Sequence, residues 1–586
     1  PSRAAGLRKL LWGKRRDVLL LTATPVNNSL WDLFHLVRYY QRQDAFLADR
    51  GILSVEERFK HAARVNPADL SPDVLYPIID ATTVKRTRQF VKKHYGGDQI
   101  KLPDGTTAPI IFPAPQAVTV RYALSDPLPA LFDLIEEALN GSEPLSFARY
   151  TPQSFLKTDA PSDPDDAHQA ASAVGLLMSG LLKRFESSAH AFCNTLDKLI
   201  REHEIFLAAL DQGRVVNTKF MHEVDASDDE AFNELLAASE ESADVGDYDQ
   251  PKLRAAVTKD LRTLKMLRQT AGAIGPDEDP KLKALVSALE AIAQQAETEA
   301  VDDDDARQKR KVIVFSFFAD TVAYLREQLT AIIARTPSLA AYRGRIVAVA
   351  GSEHVEPDEV SRAQAVSGFA PISTESTDST DRFDILIATD VLAEGVNLQQ
   401  CRHIVNYDVP WNPMRLVQRH GRVDRIGSRH TRVFLRTIFP ADRLDQLLNL
   451  EQRILNKIAM AAASIGVTSP VAGGAVGRQV FSESREEIEK LLREDPGLFE
   501  RGLSGGAGQT GEEYRQTLRR ALEQNARFTR IPRGAGSGMV KGSAQGVLFC
   551  AAIGKRTYLR FMPCTEDWVA ASDSPPIHEL GTCLRL

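Results

Sequence analysis

Short apolar runs that do not alternate with polar residues are the feature that most constrains the fold of this chain. Five of them follow one another in one part of the sequence: Val312–Phe318, Ile346–Ala350, Ile385–Ala388, His403–Tyr407 and Val433–Ile438. Amphipathic stretches separate most of these runs, notably Thr321–Ala334 and Asn412–Ile426. Strands that are apolar on both faces and that alternate with helices are typical of a parallel sheet covered on both sides. The sequence therefore predicts an α/β fold built around such a sheet.

Regions of different texture flank the predicted sheet in this chain of 586 residues. A run of apolar residues from Asp17 to Thr22 leads into a turn and then a helical stretch from Ser29, which predicts one strand–turn–helix unit. The patterns along the chain predict four regions: a first unit at 1–50, a mainly helical insertion and linker at 51–275, the sheet-containing lobe at 276–440 and an extension at 441–586. The second region contains an acidic loop at 221–250. The extension is helical and ends in a β-hairpin, Gly546–Ile553 with Arg556–Met562.

Charge is spread unevenly along the chain, although the formal net charge is only -6. The stretch Met221–Gln250 is acidic and contains no Lys or Arg, whereas basic residues cluster between Arg8 and Arg16 and between Lys85 and Lys93. A groove that follows a phosphate backbone needs local rather than global positive charge. The composition therefore does not exclude DNA as a partner.

Hydropathy and cysteine spacing limit the class of protein further. No apolar run approaches the roughly 18 residues that a membrane-spanning helix needs, so we expect a cytoplasmic protein with no membrane partner. The five cysteines are widely spaced and form no C-x-x-C pair. This spacing predicts reduced, structural thiols and no zinc site.

The segment Q-R-H-G-R-V-D-R-I-G, from Gln418 to Gly427, holds the most informative group of side chains. If Asn412–Ile426 is one helix, then Gln418, Gly421, Arg422 and Arg425 lie on a single face of it. Arginine makes forked contacts with phosphate oxygens, and a glycine beside it leaves room for a ligand. The spacing thus predicts a surface for a polyanion; the alternative is a solvated basic helix face that pairs with Asp424 and nearby acids.

A second polar group follows the predicted strand Ile385–Ala388, within I-L-I-A-T-D-V-L-A-E-G-V-N-L. The turn after this strand carries five residues of interest: Thr389, Asp390, Glu394, Gly395 and Asn397. Parallel sheets bind ligands at the carboxyl ends of their strands, which is where these side chains would lie. An ordinary loop would explain Thr389 and Asp390, but it explains the further polar residues less easily.

Four segments together resemble the late motifs of superfamily-two helicases, in the order that such proteins use. They are Leu21–Asn28 (L-T-A-T-P-V-N-N) for motif III, Lys311–Phe318 for motif IV, Ile385–Leu398 for motif V and Gln418–Arg425 for motif VI. Two further segments are similar to the Swi/Snf group of double-stranded DNA translocases, and within it to the bacterial RapA (HepA)-like members. They are Y-D-V-P-W-N-P, which leads directly into motif VI, and V-K-R-T-R at Val84–Arg88.

The resemblance implies a fold, a cofactor and roles for particular residues. It implies two RecA-like lobes that clamp ATP with Mg²⁺ between them, and double-stranded DNA as the partner. Arg422 and Arg425 would be catalytic arginine fingers, which Gln418 and Asp390 help to orient. The remaining implied site residues are Gly395, Gly421, Thr22 and Thr24 for binding ATP and coupling it to lobe movement, and Thr389, Ser316, Asn397, Lys85 and Arg86 for contacting nucleic acid. Protein partners in a bacterial transcription or defence system are also implied.

The chain departs from the family at the parts that grip the phosphates. It contains no G-x-x-x-x-G-K-[ST]; Gly536–Ser543 has its Lys in the wrong place, and D-E-A-F at Asp229–Phe232 lacks a preceding strand and follows motif III. We therefore expect a piece of a longer protein whose phosphate loop and magnesium carboxylates precede Pro1. By itself the chain should not hydrolyse ATP.

Other interpretations remain open at the level of sequence. The shared motifs would look much the same in a helicase that separates DNA or RNA strands, and a non-catalytic scaffold could have kept the second lobe. In the helical insertion, Lys183 and Arg184 of L-L-K-R-F-E-S-S could face DNA, but a solvated helix edge is favoured. Asp279–Leu282 (D-P-K-L) resembles the linker element of the Swi/Snf group.

Overall fold

A computed structural model describes most of the chain between its first residues and residue 440, together with a hairpin near the end. The described residues are 3–11, 17–21, 30–50, 52–64, 75–83, 91, 99–101, 107–110, 112–122, 128–157, 164–218, 240–351, 360–374, 380–393, 395–408, 413–440, 519, 521–522, 545–553 and 556–564.

Thirteen α-helices lie within these ranges. They are α1 Arg3–Leu11, α2 Leu30–Tyr40, α3 Val55–Arg64, α4 Tyr76–Thr82, α5 Leu128–Asn140, α6 Pro164–Ser187, α7 Ala189–Asp211, α8 Gln250–Gly272, α9 Pro280–Glu299, α10 Asp303–Arg310, α11 Ala319–Arg335, α12 Arg362–Phe369 and α13 Pro413–His420. None of them combines the length and the hydropathy that crossing a bilayer requires.

The strands of the described residues form one large sheet and three two-stranded sheets. They are β1 Gln99–Lys101, β2 Thr107–Pro109, β3 Ala114–Tyr122, β4 Arg214–Thr218, β5 Glu240–Asp244, β6 Val312–Phe315, β7 Ile346–Val349, β8 Ile385–Ala388, β9 His403–Asn406, β10 Arg432–Pro440, β11 Gly546–Ile553 and β12 Arg556–Pro563. The large sheet has six strands in the order β3-β10-β9-β6-β8-β7, and every pairing in it is parallel. The predicted parallel sheet and the terminal hairpin β11–β12 are confirmed.

The central strands are apolar throughout because helices cover both faces of the sheet. On β6, Val312 and Val314 pack against α9 and α11, whereas Ile313 and Phe315 face α12 on the other side. All four are fully buried. Alternate side chains of a strand point to opposite faces, so a strand in this position has no solvated side and shows no polar alternation. The sheet and its helices form an α/β, RecA-like lobe.

One strand of this lobe lies outside the predicted boundary at residue 276. Strand β3 pairs in parallel with β10 over nine residues, from Ala114 opposite Arg432 to Tyr122 opposite Pro440. The predicted division into 51–275 and 276–440 does not anticipate this pairing. Strand β3 is an edge strand with half-buried, partly polar side chains, so it lacks the apolar signal of the central strands.

Helices α5 to α8 are inserted between β3 and α9. Helices α5, α6 and α7 share an apolar core with the later part of α8, and a second cluster joins α7 to the start of α8. Helix α6 ends at Ser187 and α7 begins at Ala189, so the insertion turns at one residue, Ser188. The start of α7 lies against α11 of the lobe. We call helices α5 to α8 the helical insertion.

Four of the five cysteines lie in the described ranges, and all four are free thiols: Cys193, Cys401, Cys550 and Cys564. Burial raises the pKa of the Cys401 thiol to about 12, so it stays protonated. Within the described residues, no three His, Cys, Asp or Glu side chains come together as a metal-binding group.

Candidate functional site

Three strands of the large sheet end next to one another at its carboxyl edge. Strand β6 is followed by Ser316, β8 by Thr389 and Asp390, and β9 by Tyr407 and Asp408. Because the strands are parallel, these residues share the edge at which such sheets bind ligands. Motifs IV and V, and the residues that lead into motif VI, therefore lie close together.

A buried ion pair joins motif V to the helix of motif VI. The Arg419 side chain, which is wholly buried, donates from Nε to Asp390 Oδ1 at 2.6 Å and from Nη1 to Asn406 Oδ1 at 3.3 Å. Arg415 reaches the other oxygen of Asp390 at 3.3 Å. The guanidinium of Arg419 also lies 5.2 Å from the ring centroid of Phe315. This pair fixes the loop after β8 against α13.

The expected role of Asp390 needs a correction. The resemblance implies that Asp390 helps to orient Arg422 and Arg425, but its carboxylate pairs with Arg415 and Arg419. The first turn after β8 is a short 3₁₀ helix, Asp390–Leu392, which points the carboxylate towards α13. Sequence reasoning missed Arg419, although its place within Q-R-H, two residues before Gly421, was the available signal.

Motif VI is not one continuous helix, which is a second correction. Helix α13 ends at His420, immediately before Gly421, and turns follow it to Gly427. The amides of Arg422 and Val423 bond three residues back, as in turns, and the Val423 side chain is buried in the core. The single face predicted for Gln418, Gly421, Arg422 and Arg425 therefore does not exist: Gln418 is buried, Gly421 and Arg422 are half-buried and Arg425 is exposed.

Arg422 is held by the backbone of motif V. Its Nη1 donates to the carbonyl of Val396 at 3.2 Å, and its Nε donates to the carbonyl of Gln418 at 3.4 Å. In return, the amide of Leu398 donates to the carbonyl of Arg422 at 3.3 Å. Motifs V and VI are thus joined by main-chain contacts as well as by the ion pair.

Arg425 and Asn397 form the exposed part of the site. The Arg425 guanidinium donates to the side-chain oxygen of Asn397, and both residues are open to solvent. Gly395, in the same loop, has φ of +75°, and a Cβ built on it would meet no atom within 4 Å. A left-handed backbone suits glycine, and its surroundings leave space for a ligand to approach.

Ser316 is buried, so the expected contact with strand phosphates is not available to it. Its hydroxyl donates to Asp408 Oδ2 at 2.6 Å, inside the protein. Thr389 is half-buried at the sheet edge, and its amide donates to the carbonyl of Val349 at 3.2 Å. Asp408 itself was not singled out from the sequence, although a polar residue two places after a buried strand was a usable signal.

Several predicted residues cannot be placed. Thr22, Thr24, Lys85, Arg86 and Glu394 lie outside the described residues. So do the two look-alike segments at 229–232 and 536–543.

The favoured reading of Lys183 and Arg184 as a solvated helix edge is wrong, because both residues are buried. Arg184 donates to Asp320 at 3.0 Å, and its guanidinium lies 4.0 Å from the ring centroid of Phe318. This part of α6 packs against the residues after β6 and is covered by them. It therefore contacts the lobe, and these two side chains are not open to a nucleic acid.

The guanidiniums of Arg422 and Arg425, beside the loop that follows β8, suit a phosphate group, since arginine binds phosphate oxygens as a fork. The described residues offer no comparable cluster of carboxylates for Mg²⁺. The exposed guanidinium of Arg425 therefore fits an anionic ligand.

Residues 296–427 match the family model described as the helicase conserved C-terminal domain. Three curated proteins illustrate the relatives. The uncharacterized ATP-dependent helicase YqhH of Bacillus subtilis (strain 168) is 57% identical over 47 residues, 8% of this chain and 8% of the relative. The ATP-dependent RNA helicase CshA of Limosilactobacillus reuteri is 34% identical over 115 residues, 20% of this chain and 21% of the relative. The RNA polymerase-associated protein RapA of Pseudomonas putida (strain GB-1) is 32% identical over 145 residues, which are 24% of this chain and 14% of the relative.

These matches confirm the predicted resemblance to superfamily-two helicases, and RapA is the relative that represents the Swi/Snf-like group among them. The family model covers the strands and loops from α9 to motif VI, where the candidate site lies. The chain spans about a fifth or less of the length of these relatives.

Proposed function

We propose that the full-length protein is an ATP-dependent motor that translocates on double-stranded DNA. In this proposal the lobe described above presents Arg422 and Arg425 to the nucleotide. The observation that supports it most is the joining of motifs V and VI at the carboxyl edge of the sheet, through the buried pair Arg419–Asp390. Such a joint lets one loop respond to the nucleotide while its neighbour responds to a nucleic-acid strand.

The two proposed fingers differ in how much movement they need. Among the described residues, the Arg425 side chain contacts only Asn397, and an exposed contact of this kind is worth at most about 1 kcal/mol. It can exchange Asn397 for a phosphate oxygen at little cost. Arg422 keeps its carbonyl partners and is already oriented. An arginine that reaches a transferring γ-phosphate contributes roughly 10³–10⁵ in rate.

ATP with Mg²⁺ supplies the transferable phosphoryl group and the cation that neutralises it. The described residues that would contact the phosphates are Arg422 and Arg425, with Gly395 and Gly421 leaving room for them. We propose that the residues that bind Mg²⁺ and the phosphate loop belong to a first lobe. Closure of the two lobes on ATP and reopening after hydrolysis would step the motor along a strand.

Double-stranded DNA is proposed from the Swi/Snf-like features, Tyr407–Pro413 above all, and from the match to RapA. That relative is named as RNA polymerase-associated, so a transcription complex is the first partner to test. A strand-separating helicase that acts on RNA is the second candidate, because CshA is named as an RNA helicase.

The test is the rate of ATP hydrolysis by the full-length protein, with and without duplex DNA. We expect Arg425→Ala to lower the stimulated rate by roughly 10³-fold or more, and Arg425→Lys to restore little of it because a point charge cannot make the forked contact. The fold of the lobe should be unchanged, since Arg425 is exposed. Equal rates for the wild-type protein and Arg425→Ala, unchanged by duplex DNA, would favour a scaffold over a motor.

A further inference from the structure

A buried carboxylate connects the helical insertion to the lobe. Asp408, which is 1% exposed, accepts three hydrogen bonds at Oδ2. The donors are the Ser187 hydroxyl at 2.9 Å, the Ser316 hydroxyl at 2.6 Å and the Phe317 amide at 2.7 Å. Ser187 is the last residue of α6, whereas Ser316 and Phe317 follow β6. The carboxylate thus holds the insertion and the sheet edge together.

A buried lysine strengthens this joint from the other side. Lys281 Nζ donates to the carbonyl of Glu186 at 2.6 Å and to that of Ser187 at 3.2 Å. It also lies 3.2 Å from the Glu186 carboxylate and 3.4 Å from Asp408 Oδ1. Burial disfavours the charged lysine, but Glu186 and Asp408 outweigh it and raise its pKa above the ordinary value. Lys281 therefore bridges two carboxylates as a cation.

The turn between α6 and α7 is embedded in the lobe as well. Thr321 of α11 places its hydroxyl 2.8 Å from that of Ser187 and 2.9 Å from that of Ser188. Ser188 also caps α7 by accepting a bond from the Ala191 amide. All these groups are buried, so water is not at hand to replace a lost partner.

The backbone of Asp408 faces the arginine helix. Its carbonyl accepts a hydrogen bond from Arg419 Nη1 at 3.4 Å, and Arg419 in turn pairs with Asp390 of motif V. A continuous series of contacts therefore runs from Ser187 in the insertion, through Asp408, to Arg419 and Asp390.

We propose that Asp408 is a positioning residue that couples the helical insertion to motifs V and VI. Movement of the insertion at Ser187 shifts Asp408, and Asp408 shifts Arg419 and the loop that it holds. The consequence for ATP turnover rests on the proposed function, whereas the mechanical coupling does not. A partner that pulls on the insertion would then act on the arginine site from outside it.

The coupling has a physical basis in the cost of leaving a buried charge short of donors. Displacing Ser187 removes one donor from Asp408, and the remaining groups must move together to compensate. A satisfied buried network changes as a unit and does not yield at one bond.

Hydrogen exchange of the full-length protein, without ATP or nucleic acid, tests the coupling. Ser187→Ala removes one donor and leaves Ser316 and Phe317 on the carboxylate. We expect exchange to become about tenfold faster in residues 312–318 and 413–420, as the loss of a bond to a charged group predicts. The control is Thr195→Val on α7, whose buried hydroxyl donates only to the carbonyl of Ala191 in its own helix.

The control variant should speed exchange within α7 and leave residues 413–420 unchanged. The proposal is overturned if Ser187→Ala affects only the insertion, or if the two variants give the same pattern. A similar melting temperature for the two variants would show that general destabilisation is not the cause.

A second readout connects the coupling to activity. Ser187→Ala should reduce the stimulation of ATP hydrolysis by duplex DNA severalfold and leave the KM for ATP unchanged, because the residue touches no nucleotide. Unaltered stimulation together with faster exchange in 413–420 would refute this part of the proposal. If the wild-type protein hydrolyses no ATP, the proposed function fails, and the exchange experiment still decides the coupling.

Discussion

Arg419 and Arg425 lie six residues apart in the sequence, yet their guanidiniums meet opposite environments. Arg419 is wholly buried and neutralises Asp390 with help from Arg415. Arg425 is exposed, and within the part of the chain that the structure describes its side chain contacts Asn397 alone. The buried arginine therefore serves the stability of the lobe, whereas the exposed one is available to a ligand.

At this scale we predict that Arg419→Met destabilises the protein by about 3 kcal/mol. The substitution leaves the mostly buried carboxylate of Asp390 with Arg415 as its cationic partner, at 3.3 Å. A urea titration measures the change in the free energy of unfolding. Arg425→Ala is the matched control and should cost about 0.5 kcal/mol or less. Similar losses for the two variants would mean that Arg419 is not the residue that fixes the motif V loop.

The sequence could predict that arginines gather at this site, but not which arginine is buried in an ion pair and which is exposed to a ligand. Residue type and spacing predict a polyanion surface at Gln418–Arg425. The assignment of faces depended on α13 continuing past Gly421, and the burial of Val423 in the core ends the helix there instead. Tertiary packing decides this point, and Gly421, directly after the last helical residue, is the one local signal of the helix end.

At the scale of single elements, the beginning of α9 shows how a motif can be structural. Asp279 caps the helix by accepting bonds from the amides of Lys281 and Leu282, with Pro280 at the first turn. Its other oxygen accepts a bond from the Tyr324 hydroxyl of α11 at 3.1 Å. The D-P-K-L element thus positions Lys281 for its contact with Asp408.

We predict that Asp279→Ala lowers the free energy of unfolding by about 2 kcal/mol, since it removes a cap and leaves a buried tyrosine hydroxyl unpaired. Asp279→Asn should cost much less: burial raises the pKa of Asp279, so the site does not favour its charge, and the amide oxygen can still accept. Chemical denaturation of the three proteins measures both changes.

The control for this element is Asp302, an exposed cap that accepts a bond from the Asp305 amide at 2.8 Å in α10. Asp302→Ala should cost about 1 kcal/mol or less. A larger loss there than at Asp279 would contradict the role assigned to the Tyr324 contact.

Elements with a strong pattern were predictable, and an element without one was not. The apolar runs at β6, β8 and β9 predict buried strands, because helices cover both faces of the sheet at these central positions. Strand β3 is only half-buried at the sheet edge and follows the short hairpin β1–β2, far in sequence from the other strands of the lobe, so no strong apolar run marks it as part of the lobe.

For the whole molecule, translocation along duplex DNA and separation of strands can be told apart by which strand the motor removes from its substrate. We predict that the full-length protein removes the third strand of a DNA triplex when supplied with ATP, and leaves a forked duplex closed. A motor that follows the backbone of a duplex needs phosphate contacts and no strand opening. Strand-displacement assays with labelled oligonucleotides measure both activities.

Arg425→Ala is the internal control for that assay, because it should abolish displacement while the protein still binds the triplex. Unwinding of a fork or of an RNA duplex without triplex displacement would replace the proposed function with the RNA-helicase alternative.

The parallel pairing of β3 with β10 also has a consequence during synthesis on the ribosome. Strand β3 emerges about 310 residues before its partner begins. At roughly 5–20 residues per second, it waits about 15–60 s with an unpaired edge. The helical insertion is made during this interval and can fold meanwhile, so the nascent lobe stays open until its last strand arrives and is exposed to chaperones and to wrong pairings for that time.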